Sequence, residues 1–176
     1  MKRHARDIAP LFDPFFYLDR LDRPEEAIAN PLLHYVLAGW RDGVSPHPLF
    51  APDYYLSRRG GAAGDPLLDF RREGAARDID PHPLFDMAFY RERWLGGDKT
   101  VDPLEHYLEI GGRRRHDPSP RFDTAAFLER FGLGDEVEVP LLAFLVSPQY
   151  HEFALFPGFD AGLYRYQVEV ERGQRL

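Results

Sequence analysis

One motif returns along the whole chain at a nearly constant spacing. A Leu-Phe pair or a close variant recurs with the same order of residues around it, and its phenylalanine is Phe12, Phe50, Phe85, Phe122 and Phe159. Successive copies are separated by 38, 35, 37 and 37 residues. A fixed period of this length indicates a tandem array of one small unit, whose neighbours bury a shared core. Such arrays usually provide binding surfaces, so the pattern favours an interaction role over catalysis.

Each repeat is predicted to open with a short helix directly after its phenylalanine. In the first repeat, Asp13 and Pro14 follow Phe12. An aspartate before a proline suits the N-cap and first turn of a helix, and the preceding phenylalanine is placed to pack on that turn. The repeats therefore start near residues 11, 49, 84, 121 and 158.

A second helix is predicted about 19 residues further along each repeat. It begins with Asn30 and Pro31 in the first repeat, while Asp65 and Asp102 occupy the capping position in the second and third. The fourth copy has Val139 there and has lost the polar cap. Apolar residues at helical spacing give this helix one buried face. The predicted C-terminal caps are Gly39, Gly74 and Gly111.

Proline-rich turns separate the repeats. A proline stands two residues before each later phenylalanine, and paired prolines enclose one residue in the first three turns. This pattern indicates a stiff turn, because proline restricts both its own backbone and that of the preceding residue. His47 and His82 are the enclosed residues of the first two turns, and we expect them at the surface.

The predicted fold is all-α. It is a tandem array of four short helical hairpins with a degenerate fifth, forming one solenoid-like domain over residues 11–164. Neither helix of a repeat would be stable alone, since roughly 12 to 15 residues are already marginal in water. Residues 1–10 are a basic N-terminal segment, and residues 165–176 are a tail with strand-like alternation. We expect the apolar linker 148–156 to fold back over the end of the array.

The composition indicates a soluble, folded protein. Hydrophobic residues are 44% and aromatic residues 14% of the chain, whereas disordered chains are poor in aromatics. The net charge of −7 argues against general nucleic-acid binding, which needs a basic surface. The chain has no cysteine, which excludes disulfides, thiolate metal sites and cysteine nucleophiles. No apolar stretch approaches the ~18 residues of a membrane span, so we expect a cytoplasmic location.

These residues resemble a tandem repeat of bacterial glycosyltransferases and rhamnan-synthesis-type surface-polysaccharide proteins. The family unit reads roughly Phe-Asp-x-x-x-Tyr-Leu, then Asn-Pro-Asp-Val, Pro-Leu-x-His-Tyr-Leu, a glycine and a Pro-x-Pro turn. The segments that match it are residues 12–18, 31–37 and 103–108. The likeness covers most of the chain, from about Leu11 to Tyr164, but the Asn-Pro-Asp-Val segment is missing. The resemblance implies a role in glycan assembly, without catalytic residues in the repeat itself.

Two groups of polar residues could hold a metal. Asp78 and Asp80 have the form of the aspartate pair by which many glycosyltransferases hold a metal and a nucleotide sugar. The pair falls in a turn, however, without the strand that precedes a nucleotide site. The second group is an inter-repeat polar row of His34, Asp69 and His106. Packed helices lie roughly 10 Å apart and zinc ligands converge at about 2 Å, so a capping or bridging role is favoured.

Candidate interaction residues are Arg113, Arg114 and Arg115, together with Trp40 and Trp94. Runs of charge are usually solvated surface, and tyrosines at a fixed place in a repeat are more often core. The two tryptophans occupy non-equivalent places in their repeats, which makes them better candidates for a specific contact.

The sequence thus favours a non-catalytic scaffold without cofactors. Its mechanism would be a rigid face built from equivalent positions on successive repeats. Its partner would be a protein, such as a glycosyltransferase or a polysaccharide-export component. Two alternatives stay open: glycan binding through exposed tryptophan and tyrosine side chains, and sugar transfer by Asp78 and Asp80.

Overall fold

The computed structural model describes residues 2–61, 64–153 and 155. The chain divides into two compact units, residues 1–105 and 106–176. The predicted repeat domain runs across this division, and the start of its fifth copy and the tail 165–176 lie outside the described residues. Within the described ranges the chain is helical and has no β-strand, so the predicted all-α class is confirmed. Among the same residues, no helix is long and apolar enough to cross a membrane.

Short helices alternate with turns along the described chain. The α-helices are α1 (Lys2–Ile8), α2 (Pro14–Leu18), α3 (Pro31–His34), α4 (Pro52–Arg59), α5 (Pro66–Asp69), α6 (Met87–Leu95), α7 (Pro103–His106), α8 (Thr124–Phe131) and α9 (Pro140–Val146). Short π-helices continue α3, α5 and α7 at Tyr35–Gly39, Phe70–Gly74 and Tyr107–Gly111. Single 3-10 turns cover Ala9–Leu11, Pro24–Glu26, Ala75–Arg77 and Pro148–Tyr150. The helices begin where the capping residues predict, since Asp13 accepts the N–H groups of Phe15 and Phe16, both at 3.0 Å.

Three aromatic rings form the core of the first repeat. The ring centroid of Phe12 lies 5.2 Å from that of Tyr17 and 5.7 Å from that of Tyr35. Tyr17 and Tyr35 meet edge to face at 5.6 Å and 88°. We call these three positions the aromatic triad. It recurs as Phe50, Tyr55 and Phe70, and in the second compact unit as Phe122, Phe127 and Phe144.

The glycine that ends the second helix serves packing rather than termination. Gly74 has φ −60° and ψ −44°, and Gly39 also lies outside the left-handed region, so their prediction as C-caps is wrong. A Cβ on Gly39 would lie 2.8 Å from Cζ of Tyr17, and one on Gly74 would lie 2.9 Å from Cε2 of Tyr55. The tyrosine of the aromatic triad therefore occupies the space of the missing side chain. Left-handed glycines end the first helices instead, at Gly60, Gly96 and Gly132.

A backbone hydrogen bond closes each of the first two repeats on itself. The N–H of Asp13 donates to the carbonyl of Pro46 at 2.9 Å, and the N–H of Ala51 donates to that of Pro81 at 2.9 Å. Each bond joins the residue after the first phenylalanine to the first proline of the closing turn. The start of the following repeat, four residues further on, is thereby held beside the start of its predecessor.

An aromatic side chain of one second helix reaches the N-terminus of the next second helix. In the first compact unit, the hydroxyl of Tyr35 donates to the capping carboxylate of Asp65 at 2.8 Å. In the second compact unit, Val139 provides no side-chain cap, as predicted, and the hydroxyl of Tyr107 accepts the N–H of Leu141 at 3.3 Å. The tyrosine therefore replaces the lost cap.

The basic N-terminal segment is fastened to the second repeat through α1. Nε2 of His4 lies 2.6 Å from the carboxylate of Asp65, whose side chain is 1% exposed. Arg72 contacts the carboxylate of Asp7 at 2.9 Å, and Nε of Arg71 donates to the carbonyl of Asp7 at 3.1 Å. These polar contacts hold α1 against α5 and its π-helical continuation.

The linker after α9 packs back onto α8. The ring of Tyr150 lies 4.9 Å from that of Phe131 and 5.4 Å from that of Phe127, measured between centroids. Phe153 also lies 5.4 Å from Phe127. The predicted folding back is confirmed over residues 148–153, where aromatic rings cover the apolar side of the fourth repeat.

We predict that Gly39→Ala destabilises the protein. Alanine in place of a helical glycine ordinarily stabilises by about 1 kcal/mol, but here the added methyl group displaces the ring of Tyr17. We expect a loss of about 1–3 kcal/mol, typical of overpacking in a core, in guanidinium unfolding. Tyr17→Phe removes the atom nearest to the methyl group, so the cost should shrink in that background. Unchanged or increased stability of Gly39→Ala alone would contradict the packing role.

Candidate interaction site

Asp78 holds a buried arginine. Its carboxylate accepts a hydrogen bond from Nε of Arg91 at 2.7 Å and also pairs with Lys99. Burial raises the pKa of Asp78, but the hydrogen bonds from Lys99 and Arg91 outweigh it and lower the pKa below its ordinary value. The first aspartate of the predicted metal pair is therefore a charged partner of two cations of the chain itself.

The Arg91 network was missed by sequence reasoning. The side chain of Arg91 is 3% exposed and stands at the position of Leu18 and Leu56 in the first two repeats. Its guanidinium also donates to the carbonyls of Val101 at 2.7 Å and Ala75 at 3.1 Å. A buried arginine needs this many acceptors, because an unpaired buried charge is costly. The available signal was a charge at a position that is apolar in the earlier repeats.

Asp80 accepts a hydrogen bond from the first N–H group of helix α6, which opens the third repeat. Its Oδ1 accepts the N–H of Met87 at 2.9 Å. Asp117 does the same for Thr124 at 2.9 Å in the second compact unit. The first N–H groups of a helix have no partner inside the helix, so an aspartate in the preceding turn supplies one.

The equivalent turn of the first repeat carries a serine, because the helix that follows this turn begins with a proline. Helix α4 begins with Pro52, which has no N–H group to satisfy. Ser45 stands where the later turns have aspartate, and its hydroxyl donates to the carbonyl of Phe50 at 2.6 Å. Aspartate thus occurs where a helix begins with an N–H donor, which explains the second member of the predicted metal pair by helix capping.

Two members of the predicted polar row form hydrogen bonds within their own repeats. Nδ1 of His34 lies 2.7 Å from the hydroxyl of Tyr17. The carboxylate of Asp69 accepts a hydrogen bond from the hydroxyl of Tyr55 and one from Nε of Arg59 at 3.0 Å. Burial raises the pKa of Tyr17 to about 12 and keeps its hydroxyl protonated. Two members of the row therefore anchor the tyrosine of their own aromatic triad.

The third member of the row, His106, stacks on another histidine. Its ring lies 6.0 Å from that of His116, with 20° between the planes. Burial lowers the pKa of both His106 and His116 from the ordinary histidine value, which favours two neutral rings in contact. In the part of the chain that the structure describes, no three histidine, aspartate or glutamate side chains are grouped as metal ligands.

The arginine run is partly used to hold the loop after α8. Arg113 contacts the carboxylate of Glu138 at 2.8 Å. Arg115 donates to the carbonyl of Gly134 at 2.9 Å and is half-buried. Arg114 is exposed. The run is therefore a less open basic patch than the sequence implies, because two of its three side chains bind the protein itself.

Both candidate tryptophans are half-buried beneath a neighbouring arginine. Nε1 of Trp40 donates to the carbonyl of Val36 at 3.2 Å. The guanidinium of Arg41 lies 4.3 Å from the ring of Trp40, and that of Arg93 lies 5.3 Å from the ring of Trp94. Each cation–π contact covers a ring face, so stacking of a sugar on these tryptophans would have to use the remaining surface.

The turn histidines are not at the surface as predicted. His47 is 7% exposed and His82 is half-buried. Nδ1 of His47 accepts the N–H of Leu49 at 3.1 Å, and Nδ1 of His82 accepts that of Leu84 at 3.1 Å. Burial lowers the pKa of each histidine to about 4, because the charged form loses its hydration. Both rings are therefore neutral acceptors that lock their turns.

Four large apolar side chains of the first repeat are exposed, and sequence reasoning missed them. Phe15 is 83% exposed, Ile28 68%, Leu37 52% and Leu33 39%. Leu33 and Leu37 stand one helical turn apart on the second helix. We refer to these four residues as the first-repeat apolar surface. They are the feature of the described surface most typical of a contact with another protein.

We predict that Asp80→Ser destabilises the protein by about 1 kcal/mol, the usual net contribution of one hydrogen bond. The N–H of Met87 loses its acceptor in this variant. In a Met87→Pro background that N–H no longer exists, so the same substitution should cost much less. A double-mutant cycle by urea unfolding measures the difference. Equal costs in the two backgrounds would mean that Asp80 does not act as a cap.

Stability is predicted to fall on acidification through the two turn histidines. Their pKa values of about 4 lie below the ordinary 6.5, so the unfolded chain binds more protons as the pH drops between these values. The loss is about 2 kcal/mol per histidine between about pH 7 and pH 5. Chemical unfolding at the two pH values measures it.

The third turn supplies a matched variant for this test. Ser119 stands where the earlier turns have histidine, and its Oγ accepts the N–H of Arg121 at 3.3 Å. His47→Ser with His82→Ser should therefore keep the turns while removing the acid sensitivity that the histidines cause. The same loss of stability in this variant and in the natural protein would show that other groups are responsible.

No family model, curated protein or solved structure matches the chain. The likeness to the repeat of bacterial glycosyltransferases and surface-polysaccharide proteins therefore rests on the motif residues alone. The remaining indication of function comes from the contacts described above. These assign capping and ion-pairing roles to Asp78 and Asp80, and they leave apolar side chains exposed in the first repeat.

Proposed function

We propose that this chain is a non-catalytic interaction module, in which the short helical hairpins stack as a tandem array and bind a protein. The observation that carries the proposal is the first-repeat apolar surface. Phe15 exposes 83% and Ile28 68% of its surface, although burial of such side chains ordinarily stabilises by about 1.5–3 kcal/mol each. A protein partner that covers them would recover this free energy.

The second repeat lacks two apolar side chains of this surface. Where the first repeat has Phe15, the second has Asp53; where it has Leu37, the second has Arg72. The repeats thus share their aromatic triad but differ at solvent-facing positions. The larger number of exposed apolar groups in the first repeat favours a docking surface there, as at the apolar centre of protein interfaces.

The proposed partner is a glycosyltransferase or a polysaccharide-export component. This choice follows from the resemblance of the repeat motif to those systems. The non-catalytic role is supported by the contacts of the aspartate pair, since Asp78 and Asp80 both serve the fold of the first compact unit. A scaffold would use the repeat as a rigid support and leave chemistry to its partner.

We predict that Phe15→Ser, Ile28→Ser and Leu37→Ser together abolish binding of the partner. The experiment is affinity capture from a lysate of the source organism, with the captured proteins identified by mass spectrometry. The unsubstituted chain should enrich a glycosyltransferase or an export component, and the triple variant should lose it. Thermal unfolding should change little, because the three side chains are already solvent-exposed.

A matched control uses exposed apolar residues outside this surface. Ile110 is 39% and Val146 47% exposed, and both belong to the second compact unit. Ile110→Ser with Val146→Ser should leave capture unchanged. Equal capture by the first-repeat variant and the unsubstituted chain, or no protein of the proposed kind on either, would overturn the proposal.

A further inference from the structure

The beginning of the second helix is covered in three repeats and uncovered in the first. Leu67, Leu104 and Leu141 occupy equivalent positions there, and each is 0% exposed. Leu32, the equivalent residue of the first repeat, is only half-buried, and the preceding Asn30 is exposed. We call the capping residue and the three residues after it the leading segment, which comprises residues 30–33, 65–68, 102–105 and 139–142 in the four repeats.

A tyrosine of the preceding second helix contacts the leading segment of the second and fourth repeats. The hydroxyl of Tyr35 donates to the carboxylate of Asp65 at 2.8 Å, where α1 adds a contact from His4. The hydroxyl of Tyr107 accepts the N–H of Leu141 at 3.3 Å. Both tyrosines stand at the first position of a π-helix. The same side chain therefore makes the same inter-repeat contact twice.

The leading segment of the third repeat is contacted by an arginine instead. Phe70 stands at the tyrosine position of the preceding helix and has no hydroxyl, and Arg71 follows it. Nη1 of Arg71 lies 3.1 Å from the carboxylate of Asp102 and 2.7 Å from that of Glu105. The second and fourth repeats have leucine at the position of Glu105. A guanidinium suits two carboxylates, whereas a tyrosine suits an apolar residue beside a polar cap.

The leading segment of the first repeat has the features of one that receives a tyrosine. Its last residue is Leu33, which is 39% exposed, and its cap Asn30 is uncharged. Oδ1 of Asn30 accepts the N–H of Leu33 at 2.9 Å. Among the described residues, no side chain of another helix bonds to Asn30, because α1 docks on the second repeat. The amide of Asn30 can therefore bond a phenol hydroxyl from another molecule.

We propose that the partner protein binds the first-repeat apolar surface with a helix that presents a tyrosine. The tyrosine hydroxyl bonds to Asn30, and its ring packs against Leu33. The inference rests on the proposed function, because it names the element with which the partner contacts that same surface. Continuity with the inter-repeat interface supports it, since Tyr35 and Tyr107 make the equivalent contact within the chain.

A second copy of this chain does not offer the required tyrosine. The hydroxyls of the two tyrosines at this position already bond to the following repeat of their own chain. In the fourth repeat the position is occupied by Phe144, which has no hydroxyl. The ring of His151, in the linker after α9, lies 5.5 Å from the ring of Phe144. The tyrosine must therefore come from a different protein.

The test is a titration of the full isotope-labelled chain, followed by NMR, with a peptide that has the sequence of residues 103–114 and carries Tyr107. A lactam bridge holds the peptide in a helix. It should shift the resonances of residues 28–37 with a Kd below about 1 mM. The same peptide with Tyr107→Phe should bind about fivefold more weakly, which is the usual effect of losing one hydrogen bond.

Variants of the full chain supply the matched controls. Asn30→Gly removes the side chain, and glycine is tolerated at a helix cap, so the tyrosine and phenylalanine peptides should bind this variant equally. Leu33→Ser should abolish binding of both peptides. Ile110→Ser with Val146→Ser should bind them like the unsubstituted chain, because both residues lie in the second compact unit.

Two results on the unsubstituted chain would overturn the inference: no shift of first-repeat resonances at about 1 mM peptide, or equal affinity for the tyrosine and phenylalanine peptides. A third contrary result would come from sedimentation. A concentration-dependent dimer that Asn30→Gly abolishes would assign the surface to a second copy of the chain.

The outcome is separable from that of partner capture, because the titration uses purified components. Peptide binding as expected, without capture of a glycosyltransferase or export component, would overturn the proposed partner alone. Capture that the serine variant of Phe15, Ile28 and Leu37 abolishes, without any peptide binding, would support the docking surface and overturn the tyrosine-bearing helix.

Discussion

The fold depends on the packing of three aromatic rings between two helices that are each too short to be stable alone. Helix α2 has five residues and α3 has four, far below the length at which an isolated helix persists in water. The aromatic triad joins them, and the edge-to-face contact of Tyr17 with Tyr35 recurs at 88° to 90° in the first two repeats. Secondary structure here is thus a consequence of tertiary packing.

Close approach of the tyrosine explains other features of the second helix. Gly39 has no side chain because the ring of Tyr17 lies against it, and His34 is placed to contact the hydroxyl of the same ring. The second repeat keeps the geometry and uses Asp69 for the hydroxyl of Tyr55. His34 and Asp69 therefore have the same role, because each provides the hydrogen-bond partner that a buried tyrosine hydroxyl needs.

Most charged residues named in the sequence motifs hold turns and loops in place. Asp80 caps a helix whose first residue has an N–H group, and Asp78 holds Arg91. A pair of aspartates two residues apart can thus look like a metal site while it serves two unrelated structural needs. The first-repeat apolar surface, which the aromatic triad does not use, is the surface that we propose for binding.

The sequence by itself determined the repeat period, the all-α class and the N-terminal ends of the helices. These follow from local chemistry, because a capping side chain such as Asp13 acts on N–H groups two or three residues away. Only the tertiary structure decided the burial of His47, the packing role of Gly39 and the acceptors around Arg91. Each of these depends on groups brought together from separate helices and turns. A local sequence pattern does not reveal which of these groups will be in contact.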